Sequence, residues 1–308
     1  MNKFIVVMGL AAFAFVGCGE DSSSSSGPNE EAGVESSSSA ERESSSSVKS
    51  GSTDKSSSSK KQSVSSSSSV GKEKCSALLT GEDGWSWDVP KECRFNPDID
   101  YGSMTDERDG KVYRTVKIGK QNWMAENLNY DPGQACCADK YDWNWCFDKD
   151  PKKCEVAGRL YTWAAAIDSA KLYTEKSIDC GYEQMCSLPD TVYGICPPGW
   201  HLPTLEEWKI LFRTAGNLSV AGLALRSQTG WSDIDGGTDA FGFSALPVGK
   251  RDSYGGSFGE DGHYACFWSA TDYVGSAAYY VDMGIDNEHA SLMNISKKNA
   301  FSVRCVEN

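Results

Sequence analysis

The distribution of apolar positions divides the chain into three parts. Residues 4–16 form an apolar run, residues 21–70 carry almost no large apolar side chain, and apolar and aromatic residues recur from about residue 72 to residue 308. All ten tryptophans lie in the third part. Because a segment of this length can bury enough apolar surface to fold by itself, the pattern predicts one large domain there.

The first regular pattern in this third part is an alternation with a period of two. Residues 112–118 alternate in this way, Gly119 and Lys120 can form a turn, and residues 121–125 continue the run. A period of two on both sides of a short turn is typical of a β-hairpin.

Two segments have helical patterns. The apolar spacing and alanine content of Leu160 to Leu172 predict a helix. A second helix is predicted to begin at Thr204, because Thr204 and Glu207 have the spacing of a capping box, and to end at Gly216.

Short strand-like runs follow the second helix. In the last of them Phe301, Val303 and Cys305 are predicted to face one way, and Ser302 and Arg304 the other. Two helices followed by antiparallel strands predict an α+β fold class. The predicted strands are 241–248, 265–270, 277–283, 290–295 and 300–306.

The first apolar run is interpreted as an export signal over residues 1–17, because it is too short to span a bilayer. The sequence Phe15-Val16-Gly17-Cys18 resembles the bacterial lipobox, which implies that Cys18 is lipidated. An ordinary secretory signal cut nearby is the alternative. By the same resemblance, Gly19 after the cysteine favours the outer membrane, with the domain facing the exterior, so the membrane is an expected partner through the lipid anchor.

Residues 18–71 are predicted to be a lipid anchor followed by a disordered serine-rich linker. Such a segment cannot offset the entropy cost of ordering. Its hydroxyl groups could also carry glycans, and the sequence does not decide this. The serine runs are 22–26, 36–39, 44–47, 56–59 and 65–69.

Charge and cysteine content limit the kind of partner and the cellular compartment that we expect. The formal net charge of −13 and the lack of a long basic run argue against a nucleic-acid partner. The twelve cysteines indicate disulfides in an oxidising compartment. Setting aside Cys18 leaves an odd number, so one thiol is expected to be free or bonded to another chain.

Residues 106–308 carry several motifs in series, among them Asp109 to Tyr113, Ile118 to Leu128 and Phe301 to Val306. Together these motifs resemble the Fibrobacter succinogenes major paralogous domain. The resemblance implies an exported or surface protein and gives no established activity. A segment from His201 to Trp208 is also similar to formylglycine-generating and sulfatase-modifying enzymes, which implies a C-type-lectin-like fold with two helices packed on antiparallel strands. The motifs that carry the family resemblance are 109–113, 118–128, 158–163, 196–204, 243–247, 267–271 and 301–306.

The resemblance also implies a set of disulfides. A long-range bridge between Cys196 and Cys305 would join element ends as in lectin-like domains. An N-terminal Cys-bridged segment is expected over residues 72–105. The other expected pairings are Cys75–Cys93, Cys146–Cys154, Cys180–Cys186, and Cys136 or Cys137 with Cys266.

The insertion at residues 131–158 contains the candidate ligand-binding residues. Tyr141, Trp143 and Trp145 carry aromatic faces that can stack on sugar rings, although a cysteine-rich loop also needs a small core of its own. A second loop places Asp233, Asp235 and Asp239 close in sequence as candidate Ca²⁺ ligands. A solvated turn is the alternative there, because the loop lacks EF-hand spacing and a closing glutamate. Beyond Ca²⁺, the sequence predicts no cofactor.

The favoured hypothesis is a surface binding or adhesion lipoprotein that recognises plant-cell-wall polysaccharide or a cell-surface protein. No convincing catalytic constellation is visible in the sequence. Two alternatives stay open. One is an enzyme, either a carbohydrate hydrolase or an oxidoreductase on a formylglycine-generating-like fold. The other is a structural envelope component that cross-links through its unpaired cysteine.

Overall fold

Three β-sheets dominate the structure, a computed structural model that describes residues 72–79, 84–133, 143–233 and 236–308. These residues belong to one compact unit, Ser65–Asn308. The predicted leader, Cys18 and the whole serine-rich linker lie outside the described residues. No helix in the described ranges is long and apolar enough to cross a membrane.

The first sheet contains the predicted hairpin. Its strands are β1 (Gly102–Thr105), β2 (Val112–Ile118), β3 (Gln121–Met124), β6 (Trp200–His201) and β13 (Val306–Glu307), in the order β1-β2-β3-β13-β6. Strands β2 and β3 pair antiparallel from Thr115–Met124 to Ile118–Gln121, which confirms the hairpin. The last strand, β13, lies between β3 and β6 and pairs with both.

The second sheet has the order β11-β10-β9, formed by β9 (Tyr264–Val274), β10 (Ala277–Gly284) and β11 (Ser291–Ser296). Strand β9 is buried on both faces. Cys266 and Trp268 pack in one core cluster, whereas Ala265 and Phe267 pack in another. This explains the near-continuous apolar run of that strand, because a strand with two buried faces has no solvent side to carry polar residues.

The third sheet is built from short strands in the order β4-β5-β12-β7-β8. They are β4 (Asn144–Trp145), β5 (Leu160–Thr162), β7 (Lys250–Arg251), β8 (Phe258–Gly259) and β12 (Ala300–Phe301). A third core cluster, which includes Phe147, Leu160 and Val248, packs among its residues.

The helices are short. They are α1 (Lys72–Leu79), α2 (Pro151–Ala157), α3 (Trp163–Ala166), α4 (Ser169–Lys176), α5 (Leu205–Thr214) and α6 (Leu218–Leu225), with 3₁₀ turns at Lys91–Arg94 and Phe147–Lys149. The predicted capping box is confirmed at α5, where Glu207 N–H donates to Thr204 Oγ1 and Thr204 N–H donates to the Glu207 carboxylate. Helix α6 was not predicted from the sequence.

The predicted α+β class with a C-type-lectin-like arrangement is wrong. Among the described residues the fold is mostly β, with three sheets whose named strands all pair antiparallel, and no helix exceeds ten residues. The predicted helix from Leu160 to Leu172 divides into β5, α3 and the start of α4, because Thr162 caps α3 and Asp168 adopts a left-handed conformation before α4. The likeness to sulfatase-modifying enzymes is not confirmed.

Two predicted strands also differ. Residues 241–248 form turns and loop with a single isolated bridge at Ala245, although most of their side chains are buried. The run 300–306 divides into β12 and β13. Phe301, Val303 and Cys305 share one core cluster as predicted, but Arg304 on the other side is fully buried and donates Nε–H to Asn127 Oδ1 at 2.7 Å.

Four disulfides brace the described residues, and they are four of the expected pairings: Cys75–Cys93, Cys146–Cys154, Cys180–Cys186 and Cys196–Cys305. The expected bridge to Cys266 is wrong. Cys266 carries a free thiol inside the core, and burial raises its pKa well above the usual value. Cys136 and Cys137 lie outside the described residues.

Candidate functional site

Trp143 is the most exposed tryptophan of the described residues and stands on a fixed backbone. Half of its surface is exposed. The backbone N–H of Thr162 donates to the Trp143 carbonyl at 2.9 Å, and the Trp143 N–H donates to Thr162 Oγ1 at 3.1 Å. The indole is therefore half exposed on a backbone that is hydrogen-bonded to Thr162 of β5, directly before the edge strand β4 of the third sheet.

Trp145 lies beside Trp143 with its ring nearly perpendicular. The ring centroids are 5.9 Å apart and the planes make an angle of 81°. The guanidinium of Arg251 lies 4.0 Å from the Trp145 ring centroid, a cation–π contact that holds this ring in place. The Cys146–Cys154 disulfide follows directly and ties the strand to α2. Tyr141, the third predicted aromatic, lies outside the described residues.

A row of partly and fully buried rings, Trp85, Trp87, Phe147 and Phe258, packs beneath the insertion. Neighbouring rings in the row have centroid distances of 4.9 Å, 5.0 Å and 5.3 Å. The cysteine-rich insertion thus has the small core that its composition required, and this core is filled by Phe147 rather than by Trp143. The described part of the insertion therefore packs on a core of its own, and Trp143 is not part of that core.

The comparisons with known proteins can be set against this geometry. The model of the Fibrobacter succinogenes major domain matches residues 116–307. The chain belongs to this family. No curated protein and no solved structure matches the chain. Trp143 and Trp145 lie within the Fibrobacter succinogenes major domain, whereas Trp85 and Trp87 belong to the segment that precedes it.

The three aspartates of the predicted calcium loop have different surroundings. Asp239 is fully buried and its carboxylate accepts from the N–H and hydroxyl of Ser244, at 2.7 Å and 2.6 Å. Asp233 is exposed, and Asp235 lies outside the described residues. Within the described ranges no three His, Cys, Asp or Glu side chains are grouped to hold a metal ion. The Asp239 carboxylate acts instead as a buried anchor for the loop.

A cleft that sequence reasoning missed lies on another part of the domain. It has a volume of about 450 Å³, and its lining includes Tyr130, Asp168, Lys171 and Tyr193. The floor is fixed by Arg108, whose guanidinium donates to Asp106 at 2.7 Å and stacks 3.8 Å from the Tyr130 ring centroid. Burial raises the pKa of Asp168, which also caps α4. No sequence signal joins these residues, because Tyr130, Tyr193 and the start of α4 are distant from one another along the chain.

The cysteine pairing limits two of the alternative functions, the formylglycine-generating-like enzyme and the envelope component that cross-links through a free thiol. Cys305 is bonded to Cys196, so Cys305 and Cys266 do not form the late thiol pair that formylglycine-generating chemistry would require. Cys266 is also enclosed by core residues, so a covalent link from it to another chain would require the core to open.

Proposed function

We propose that this protein is a surface-anchored binding lipoprotein whose Fibrobacter succinogenes major domain recognises polysaccharide through Trp143 and Trp145. The observation that carries the proposal is the half-exposed Trp143, whose backbone is hydrogen-bonded to Thr162 directly before the edge strand β4. An indole held in place loses little conformational freedom when a sugar ring stacks on it, so the contact retains more of its binding energy.

The perpendicular geometry of the pair supports a sugar rather than a flat aromatic ligand. Because the two ring planes make an angle of 81°, a flat ligand cannot stack between them as it would between parallel rings. A sugar unit presents C–H groups on its faces and hydroxyl groups at its rim. One face of the sugar can lie on the half-exposed Trp143 indole while the hydroxyl groups at its rim stay in solvent.

Anchoring is a separate part of the same proposal. The lipobox-like sequence at Cys18 and the serine-rich linker would hold the domain on a flexible tether outside the outer membrane. A tether of this kind suits a domain that must reach an insoluble ligand beyond the cell surface.

The binding part is tested with the purified full chain on insoluble cellulose, xylan and pectin. We expect retention on at least one polymer, and a loss of about tenfold in affinity for Trp143→Ala, which corresponds to about 1.4 kcal/mol. Tyr173→Ala is the matched control, because Tyr173 on α4 is exposed to a similar extent, 55 % against 50 %. No retention on any polymer, or an equal loss in both variants, would contradict the proposal.

The anchoring part is tested in cells. A fatty-acid analogue should label the wild-type chain and not Cys18→Ser, and added protease should remove the domain from intact cells. Labelling that persists in Cys18→Ser, or a domain that resists protease until cells are lysed, would show that the anchor or the location is wrong.

A further inference from the structure

A pocket of about 530 Å³ lies between the N-terminal segment and the body of the domain. Cys75, Ser76 and Leu79 of α1 form one wall, and the segment from Glu92 to Tyr101 forms another. Arg114 on β2, with Gln228 and Thr229, closes the third side. Of these residues only Gln228 and Thr229 fall within residues 116–307, so most of the pocket lining lies outside the residues that match the family.

Arg114 is the central charged group of the pocket. Its guanidinium lies 4.0 Å from the Phe95 ring centroid and 5.6 Å from that of Tyr101. Its Nη1 is buried and has no hydrogen-bond partner in the described part of the chain. A buried donor without a partner is unfavourable, and a guanidinium fixed by aromatic rings suits the two oxygens of a carboxylate.

Thr229 gives a second, independent indication of a ligand. Its Oγ1 is also buried without a hydrogen-bond partner among the described residues, and it lines the same pocket. A carboxylate alone would leave this hydroxyl unpaired. A ligand that carries hydroxyl groups as well as a carboxylate could satisfy both orphaned groups at once.

The local charge is opposite to that of the whole chain. The pocket is lined by two arginines, Arg94 and Arg114, and by one acidic residue, Glu92, whereas the chain carries a formal net charge of −13. Arg94 is positioned by the Ser86 carbonyl at 2.9 Å and by the Trp85 ring. An anion is therefore favoured in this pocket over a neutral ligand or a cation.

We propose that this pocket binds an acidic sugar, with the uronic carboxylate paired to Arg114 and a sugar hydroxyl bonded to Thr229. Phe95 and Tyr101 supply the apolar surface for the ring, and the volume is sufficient for one or two sugar units. The site is separate from Trp143 and does not depend on the function proposed for that residue.

The Cys75–Cys93 disulfide closes the pocket. Both cysteines line it, and the bond fastens α1 to the 3₁₀ turn Lys91–Arg94. Because this disulfide is the bond that fastens α1 to the turn Lys91–Arg94, its loss should free the pocket wall that α1 forms. We expect weaker binding in Cys75→Ser/Cys93→Ser, while the remaining domain keeps its thermal transition.

The test is calorimetric titration of the full chain with galacturonate and its dimer, with galactose and inorganic phosphate as comparison ligands. We expect the acidic sugar to bind, galactose to bind at least tenfold more weakly, and added salt to weaken binding. Arg114→Gln should lower the affinity for the acidic sugar at least tenfold. Arg114→Lys should lower it by less, because lysine keeps the positive charge but cannot bond both carboxylate oxygens as the planar guanidinium does. Arg213→Gln is the control, since Arg213 is exposed on α5 outside the pocket.

Thr229→Val keeps the proposal testable if the Arg114 variants do not fold, because it removes only the hydroxyl. It should lower affinity for the acidic sugar severalfold. Equal affinity for galactose, preference for phosphate, an equal loss in Arg213→Gln, or no binding of any acidic sugar would overturn the proposal. Trp143→Ala should leave this titration unchanged, so failure here and failure of the polysaccharide experiment can be told apart.

Discussion

Asp239 and Ser244 form a closed hydrogen-bonded turn inside the protein: Ser244 N–H donates to one carboxylate oxygen of Asp239 at 2.7 Å, and Ser244 Oγ donates to the other at 2.6 Å. Both residues have positive φ angles, 46° and 50°. The turn also orients the Ser244 carbonyl, which accepts from Arg304 at 2.9 Å. A loop residue that resembled a calcium ligand thereby supports the buried arginine.

The first prediction concerns the pH dependence of stability through Asp239. Burial raises its pKa to about 6, against bonds from Ser244 that lower it. Because the folded pKa lies above the unfolded value, this group stabilises the fold below about pH 4, and the contribution is lost as pH rises through about 6. Relative to Asp239→Asn, the wild type should lose at most about 3 kcal/mol over that range.

Urea denaturation at several pH values between 4 and 7 measures this difference. Asp190→Asn is the control, since Asp190 is exposed on the surface. A constant offset between wild type and Asp239→Asn across the range would show that Asp239 does not titrate in the folded protein as described.

The second prediction concerns the His201–Glu207 pair at the start of α5. The two side chains are joined at 2.8 Å, and His201 Nδ1 lies 2.9 Å from Asn308 Oδ1. Burial alone would lower the pKa of His201, but the bonds to Glu207 and Asn308 outweigh it and raise the pKa above 6.5. Burial alone would raise the pKa of Glu207, but its hydrogen bonds with His201 and Thr204 outweigh burial and lower the pKa below 4.5.

The raised pKa of His201 gives a contribution to stability that is complete below pH 6.5 and is lost as pH rises through the folded pKa. The lowered pKa of Glu207 gives a contribution that is present above pH 4.5 and is lost as pH falls through the folded pKa. His201→Gln should therefore cost most, about 1–2 kcal/mol, between these values. Thermal melts at pH 5.5 and 8 would check this, and a larger cost at pH 8 than at 5.5 would contradict it.

The third prediction compares two disulfides. Cys196–Cys305 closes a loop with a sequence separation of 109, and Cys180–Cys186 one of 6. In the chain-entropy treatment their removal costs about 5 and about 2 kcal/mol. Paired alanine variants measured by urea denaturation should show the larger loss for Cys196→Ala/Cys305→Ala. A larger loss for the short loop would mean that local strain, not chain entropy, sets the order.

The fourth prediction contrasts two tryptophans. Trp163 is fully buried and donates Nε1–H to the Ser269 carbonyl at 2.9 Å, whereas Trp143 is half exposed. Trp163→Ala should cost about 3–5 kcal/mol of unfolding free energy. Trp143→Ala should cost less than about 1 kcal/mol, because little packing is lost at a surface position. If Trp143→Ala unfolds the domain, the residue is part of the core and the binding platform is wrong.

Local signals in the sequence predicted the elements that depend on local chemistry. The capping box at Thr204 and Glu207 requires only residues three apart, and the hairpin around Gly119 requires only its own turn. Both are found as predicted. Three of the four disulfides were implied by the family resemblance, whereas Cys75–Cys93 was expected from the short segment that its two cysteines bracket.

The failures arise where tertiary context overrides local preference. Leu160–Thr162 joins a sheet because β12, from a distant part of the chain, pairs with it. Residues 241–248 are apolar because they are buried, yet they lack a strand partner along most of their length. Arg114 occupies an ordinary alternating position in β2, and only the folded structure shows that two rings and a buried nitrogen surround it.

The position of β13 constrains how the molecule can be made. Its residues, Val306 and Glu307, lie between a strand that begins at Gln121 and one that begins at Trp200. Until they have been synthesised, β3 and β6 have an unfilled gap between them. The first sheet therefore cannot become continuous before residues 306–307 have been synthesised, and the pairing that joins β3 to β6 is a late, long-range step of folding.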